Sequence, residues 1–176
     1  RGASDASAEA VELDPENRWR PRASSRRLTA EELRDSLLFV SGQLQSSGQG
    51  GPGYPADRSS DFNFIPNDPR RSLYLPVFRN APAEALALFD TAPSSVVTGR
   101  RDVSTVPSQA LFMLNSPFVR SQAGAAAENC NRAGPLQERI AACYRQTLGR
   151  DPTNPELLLA EAHFAQVEKT GKPALF

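Results

Sequence analysis

Thr29-Ala30-Glu31-Glu32-Leu33-Arg34-Asp35-Ser36-Leu37-Leu38-Phe39-Val40 decides the fold class. A Thr followed three residues later by Glu is a capping box, in which the Thr29 hydroxyl accepts an orphan amide while Glu32 reaches back to the cap. Leu33, Leu37, Val40 and Leu44 then recur at helical spacing, which predicts a helix from Thr29 to about Gln45 with one buried stripe and an end weakened by Gly42. Similar start and period signals return downstream. Pro82 starts a short helix through Phe89, ended by Asp90 and Pro93. Pro107 opens a helix over 108–115, and Ser116-Pro117 reads as an N-cap with Pro at the first position, bending the chain into a helix that fades towards Asn129. Leu111, Leu114, Phe118 and Val119 share an apolar face. Leu136, Ile140, Cys143 or Tyr144 and Thr147 mark another helix, closed by Gly149. Thr153-Asn154-Pro155-Glu156 is a second capping box, and Leu157, Ala160, Phe164 and Val167 stripe the last helix until Gly171 and Pro173.

Large loops separate these helices. Gly48-Gln49-Gly50-Gly51-Pro52-Gly53 ends the first, and no period is sustained to Arg70; Phe62, Phe64 and Ile65 suggest that this loop packs down. Residues 72–78 read as extended, and Pro76 restricts them to an edge strand or an isolated segment. Residues 91–105 are polar and irregular around Gly99-Arg100-Arg101-Asp102. Residues 1–27 hold a basic cluster (Arg18, Arg20, Arg22, Arg26, Arg27) and Trp19, and little regular structure is expected there. The expected fold is mainly α: an irregular helical domain over 28–170 with long ordered loops and at most one short β pair, an extended or poorly ordered segment over 1–27 and a tail over 171–176.

Composition narrows the class further. A chain of 176 residues with 39% hydrophobic and 23% charged residues, 15 Pro and 11 Gly suits one loop-rich domain. Twenty basic and 20 acidic residues balance to zero net charge, so no global field draws the chain onto nucleic acid or an anionic membrane. The longest apolar runs, Ala85–Phe89 and Ala110–Leu114, are far short of the ~20 residues of a membrane-spanning helix. Lys169 and Lys172 are the only lysines, so arginine supplies nearly all the cationic charge. Both a GC-rich genome and a demand for planar, bidentate anion contacts account for that bias. A start at Arg1 without initiator Met or leader suggests a fragment whose true beginning lies upstream.

Several stretches occur together in a recognisable order: Asn17-Arg18, Ser25-Arg26-Arg27-Leu28-Thr29-Ala30-Glu31-Glu32-Leu33-Arg34-Asp35, Val40-Ser41-Gly42, Pro69-Arg70-Arg71-Ser72-Leu73-Tyr74, Phe89-Asp90, Gly99-Arg100-Arg101, Ser104-Thr105-Val106-Pro107-Ser108-Gln109-Ala110-Leu111, Leu114-Asn115-Ser116-Pro117-Phe118-Val119, Tyr144-Arg145 and Leu148-Gly149-Arg150-Asp151-Pro152-Thr153. Over roughly residues 14–160 the chain resembles the C-terminal domain of unknown function of large secreted planctomycete proteins that carry cytochrome-c-like domains upstream. The resemblance implies an exported, periplasmic or cell-surface protein without assigned activity, whose partners are other domains of its parent or a cytochrome c domain. It supplies no catalytic residues to transfer. The chain holds no Cys-x-x-Cys-His, so no haem attaches within it and no cofactor is expected. The family's further helix beyond the last one here also looks absent, which suggests trimming at both ends.

Given export, Cys130 and Cys143, the only cysteines, suggest a disulfide across the turn between two helices; two separate thiols are the alternative. His163 is the sole histidine and lies on a helix stripe, so a metal site is not expected. Asp57-x-Ser59-x-Asp61-x-Asn63, with Asp68 at position 12, has the oxygen spacing of a calcium loop, but Phe62 stands where Gly is needed, and an Asx-rich turn accounts for it better. The pairs Arg70-Arg71 and Arg100-Arg101, with Asp90 and Asp102 as available partners, are the most suggestive set. They either fork onto carboxylates or sulfates of an anionic polysaccharide or tie the long loops to the helices. The expected function is a non-catalytic binding or scaffold module, with no catalytic residues; the alternatives are a polysaccharide hydrolase with a carboxylate site in the loops, Asp90 foremost, and a docking surface for a cytochrome c domain.

Overall fold

A computed structural model of the chain describes residues 8–20, 23–24, 26–45, 68–79 and 82–170. Among them the fold is mainly α: α1 (Ala8–Leu13), α2 (Ala30–Val40), a 3-10 turn (Ser72–Tyr74), α3 (Glu84–Leu88), α4 (Pro107–Asn115), α5 (Pro117–Asn131), α6 (Leu136–Leu148) and α7 (Asn154–Thr170). Residues 46–67, with the glycine run, the calcium-like Asp57, Ser59, Asp61 and Asn63 and the apolar Phe62, Phe64 and Ile65, lie outside the described residues, as does the tail at 171–176.

The capping box of α2 forms as its spacing requires: the Glu32 amide donates to Thr29 Oγ1 at 3.3 Å and the Thr29 amide to Glu32 Oε2 at 2.9 Å. The helix stops at Val40, five residues before the expected Gln45, because Gly42 turns left-handed at φ 73°. Gln43 and Leu44 amides then fold back onto the Leu38 carbonyl at 2.9 and 3.0 Å. The buried stripe is also rotated from the expected one. Ala30, Arg34, Leu38 and then Ser41 are buried, whereas Leu33, Leu37, Val40 and Leu44 are only half-buried. The reason is what α2 packs against: loops whose backbone groups need polar partners.

Two other expectations are corrected. Residues 72–74, expected to be part of an edge strand or isolated extended segment, form a 3-10 turn, while the β pairing among the described residues, an isolated parallel bridge between Gln45 and Arg70, stays within the expected single short pair. The 1–27 segment contains α1, a six-residue helix, followed by a hydrogen-bonded turn at Asp14.

Downstream the helix signals hold. Pro117 takes the first position of α5, and Ser116 carries the bend, its amide bonded to the Phe112 carbonyl at 2.9 Å and its carbonyl to the Arg120 amide at 3.0 Å. Gly149 closes α6 left-handed at φ 70°, a conformation that suits a residue without Cβ. At the start of α7 the Thr153 amide and hydroxyl both donate to Glu156, at 2.8 and 2.9 Å.

Packing places α2 at the centre, against α3, α5 and the 3-10 turn, with α4, α6 and α7 attached in succession through α5 and α6. Phe89 and Phe112 meet edge to face at 5.7 Å where α3 joins α4. Among the described residues the buried apolar ones are Ala30, Leu38, Leu75, Cys130 and Ile140, and a comparable set of polar ones, including Arg34, Ser41, Ser72, Gln109 and Gln122, shares the interior. Hydrogen bonding therefore carries much of the definition of this core.

Candidate functional site

Glu31, Arg34 and Asp35 fall on one side of α2 at spacings of three and four residues, beside Leu38. Arg34, only 7% exposed, donates to the Arg70 carbonyl at 3.0 Å, to Ser72 Oγ at 3.3 Å and to the Asp68 carbonyl. Burial pulls its guanidinium below its usual range, partly offset by the charges of Asp35 and Asp68. Asp35 accepts the Ser72 amide and hydroxyl, both at 2.7 Å. One helical turn thus satisfies the entry to the 3-10 turn.

Each member of the predicted arginine set has a definite place. Arg70 grips Asp68 through Nε and Nη2, with contacts of 2.6 to 3.0 Å, and its guanidinium lies 5.3 Å from the centre of the Tyr74 ring. That hydrogen bond holds the Asp68 carboxyl below its ordinary range, so the residue at position 12 of the calcium-like spacing already has a cation. Arg71, largely exposed, reaches Asp35 at 3.4 Å. Arg101 donates to Glu31 at 2.8 Å, and Thr91 donates to the other oxygen of the same carboxylate at 3.1 Å. Burial opposes ionisation of Glu31, but these bonds leave its carboxyl below the usual range. Arg100 is exposed and has no described hydrogen bond or ion pair, and the neighbouring Val96, Val97 and Val103 are exposed too.

The expected acidic partners are not the ones used. Asp90 accepts the Ser104 amide at 2.8 Å and the Ser104 hydroxyl at 2.7 Å, which keeps its carboxyl below its ordinary value, and it bonds none of the four arginines. It stands at φ 60°, in a left-handed conformation that Asp tolerates better than most residues. Asp102 is exposed and bonds neither arginine pair. The carboxylates that serve are Glu31, Asp35 and Asp68, two of them on α2.

Sequence reasoning missed three further polar anchors. Arg34 is the first; its signal is the run Glu31, Arg34, Asp35 and Leu38 on one helical face. Arg27 is the second, donating to the Ser104 carbonyl, to Thr105 Oγ1 at 2.9 Å and to Gln109 Oε1 at 2.5 Å. Gln109 is the third: buried in the first turn of α4, it also donates to the Leu88 carbonyl at 2.9 Å.

The far end of α2 is held differently. Its last carbonyls receive neutral amides: Asn129 of α5 donates to the Ser41 carbonyl at 2.9 Å, and Gln146 of α6 donates to the Val40 carbonyl. The Ser41 hydroxyl lies 2.6 Å from Gln122 Oε1 of α5 and 2.9 Å from the Leu38 carbonyl. Cys130 and Cys143 are disulfide-bonded, with Cα atoms 5.5 Å apart, and tie together the two helices that supply these amides.

Among the described residues no group of three or more His, Cys, Asp and Glu is placed to hold a metal ion, and no helix is long and apolar enough to cross a membrane. His163 is exposed on α7 and stacks edge to face against Phe164 at 6.5 Å.

The family model described as "PSD1: Protein of unknown function (DUF1553)" matches residues 1–164. No curated protein and no solved structure matches.

Proposed function

The chain belongs to that family of proteins of unknown function, and from this premise we propose that it is a non-catalytic binding or scaffold module of an exported cell-envelope protein. The observation that carries the reading is the use made of the carboxylates. Glu31, Asp35, Asp68 and Asp90 each accept hydrogen bonds from an arginine, a hydroxyl or a loop amide. Glu31, Asp68 and Asp90 are shifted downward, towards ionisation. A glycosidase needs one carboxyl with a raised pKa to protonate its leaving group. Downward shifts suit structural acceptors that pin loops to α2.

The same framework leaves Arg100 exposed on an anchored loop, fixed before it by Thr91 on Glu31 and after it by Arg101 on Glu31 and Ser104 on Asp90. Such a guanidinium, held on a pinned loop beside exposed valines, suits a carboxylate or sulfate of an anionic polysaccharide. A disulfide is compatible with an oxidising compartment, which supports export. The resemblance to secreted planctomycete proteins with cytochrome-c-like domains makes the parent's other domains, or a cytochrome c domain, the natural neighbours.

Calorimetric titration with sulfated and uronic polysaccharides tests the reading. Binding that Arg100→Ala weakens without moving the melting temperature supports it. Release of reducing ends, abolished by Asp90→Asn with folding intact, would replace it with a hydrolase.

A further inference from the structure

Gln146 of α6 faces two ways. Its amide nitrogen donates to the Val40 carbonyl at the end of α2, which fixes the orientation of the side chain, and its Oε1 lies 3.6 Å from Cys130 Sγ. While Cys130 is bonded to Cys143 that sulfur carries no proton, so among the described residues nothing donates to Gln146 Oε1. An acceptor is thus placed for a proton that only the reduced sulfur has.

The two sulfurs also differ in access. Cys130 is 3% exposed, whereas Cys143 is half-buried on α6. The attachment of both helices to α2 does not run through sulfur. Asn129, next to Cys130, donates to the Ser41 carbonyl at 2.9 Å, Gln146 holds the Val40 carbonyl, and Ile140 is buried.

We propose that Cys130–Cys143 is a reversible thiol–disulfide exchange site: a small dithiol enters at Cys143, and the released Cys130 is received as a thiol by Gln146 Oε1, so that one helical frame serves both redox states. The attacking thiolate bonds to Cys143 Sγ; the Cys130–Cys143 bond breaks, its electron pair leaves on Cys130 Sγ, and that sulfur takes a proton from water. The reagent's second thiolate then attacks the reagent sulfur of the mixed disulfide and displaces Cys143 Sγ, which is protonated in turn. Across both steps the dithiol gives up two electrons and two protons and becomes a disulfide, and the cystine becomes two thiols. The new Cys130 S–H is a weak donor, but its acceptor is already in place, so the buried thiol is not left unpaired. The disulfide is then a late, reversible fastener of α5 to α6 and not a condition for folding. The exchange lies apart from Arg100 and does not depend on the polysaccharide reading.

Dithiothreitol treatment of the oxidised 176-residue chain without denaturant tests it, read by thiol alkylation with mass spectrometry, far-UV circular dichroism and urea unfolding. The expected result is conversion to two thiols with the helical spectrum kept and a cooperative urea transition at a lower midpoint. With the monothiol glutathione in place of the dithiol, the trapped adduct should sit on Cys143. In the reduced, folded chain Cys143 should alkylate ~10-fold faster than Cys130 or more, a difference that urea abolishes. Gln146→Leu should move the equilibrium against a buffer of reduced and oxidised dithiothreitol ~3-fold towards the disulfide, because the lost acceptor serves only the dithiol state while the bond to Val40 is present in both. An equilibrium unmoved by Gln146→Leu overturns the proposal, since a merely structural glutamine supports both states alike. Reduction that requires urea, loss of the helical spectrum on reduction, or a glutathione adduct on Cys130 of the unmodified chain overturns it as well.

Discussion

The two ends of α2 are anchored by opposite chemistry. Its first turns hold loops through charge: Glu31 with Arg101, Asp35 with Ser72 and Arg71, and Arg34 with the carbonyls of Asp68 and Arg70. Its last turn meets helices through neutral amides from Asn129 and Gln146, with a disulfide fastening those helices to each other. Each solution matches what it must hold. A loop presents unpaired amides and carbonyls, which buried ionic side chains satisfy strongly; a neighbouring helix presents side chains alone, and neutral amides suffice for the few free carbonyls at the α2 C-terminus.

The comparison predicts that the charged end is the more fragile. Arg34→Ala leaves the Asp68 and Arg70 carbonyls and the Ser72 hydroxyl without their buried donor and removes the cation 3.8 Å from Asp35, and should destabilise by about 3–5 kcal/mol in urea unfolding, the range for removing one partner of a buried ionic cluster. A loss below about 1 kcal/mol would mean that water replaces the guanidinium and that the interior is less dry than its geometry implies. At the other end, replacing Cys130 and Cys143 together by alanine removes a cross-link spanning a separation of 13 residues and should lower stability by ~3 kcal/mol. Free-thiol titration of the oxidised protein under denaturing conditions should find none; two thiols would remove the cross-link from the account. Gln122→Ala should cost about 1–2 kcal/mol, since it strips the neutral partner of the buried Ser41 hydroxyl.

Acid sharpens the contrast with a smaller effect. Hydrogen bonds from Arg26 and from the Thr29 amide lower the Glu32 carboxyl from 4.5 to about 2, and Arg150 with Thr153 does the same for Glu156. A depressed folded-state pKa means stabilisation that is fully present above the ordinary value of 4.5 and is lost as pH falls through about 2. Melting temperature should therefore decline over that window, and Glu32→Gln should flatten part of the decline while starting from a lower value. The neutral amides at the far end of α2 contribute nothing to the slope.

What the sequence makes legible divides along the same line. Local signals held: the Thr29 capping box, Pro107, the Ser116-Pro117 bend and the Gly149 cap depend on residues within one turn of each other. The helical class followed from them. The face that α2 buries did not, because leucine spacing favours Leu33 and Leu37 whereas the partners of Arg34 lie 34 to 38 positions away. The arginine pairs stood out as a set, yet their acids did not: Asp90 and Asp102 are the loop acids nearest Arg100 and Arg101 in sequence, while Glu31 and Asp35 come from α2 across the fold. Polar burial is a tertiary property, and one-dimensional spacing does not encode which loop returns to which helix.

Amide hydrogen exchange at Ser72 and Ser104 tests most directly that carboxylates pin these loops to the helical frame. Both amides lie outside α-helices and donate to side chains, Ser72 to Asp35 at 2.7 Å and Ser104 to Asp90 at 2.8 Å. The account predicts protection approaching that of α2 amides at both positions, with Ser72 protection lost in Asp35→Ala, which removes the acceptor, and Ser104 protection kept. Exchange of both at the rate of freely solvated loop amides in the unmodified chain would contradict it.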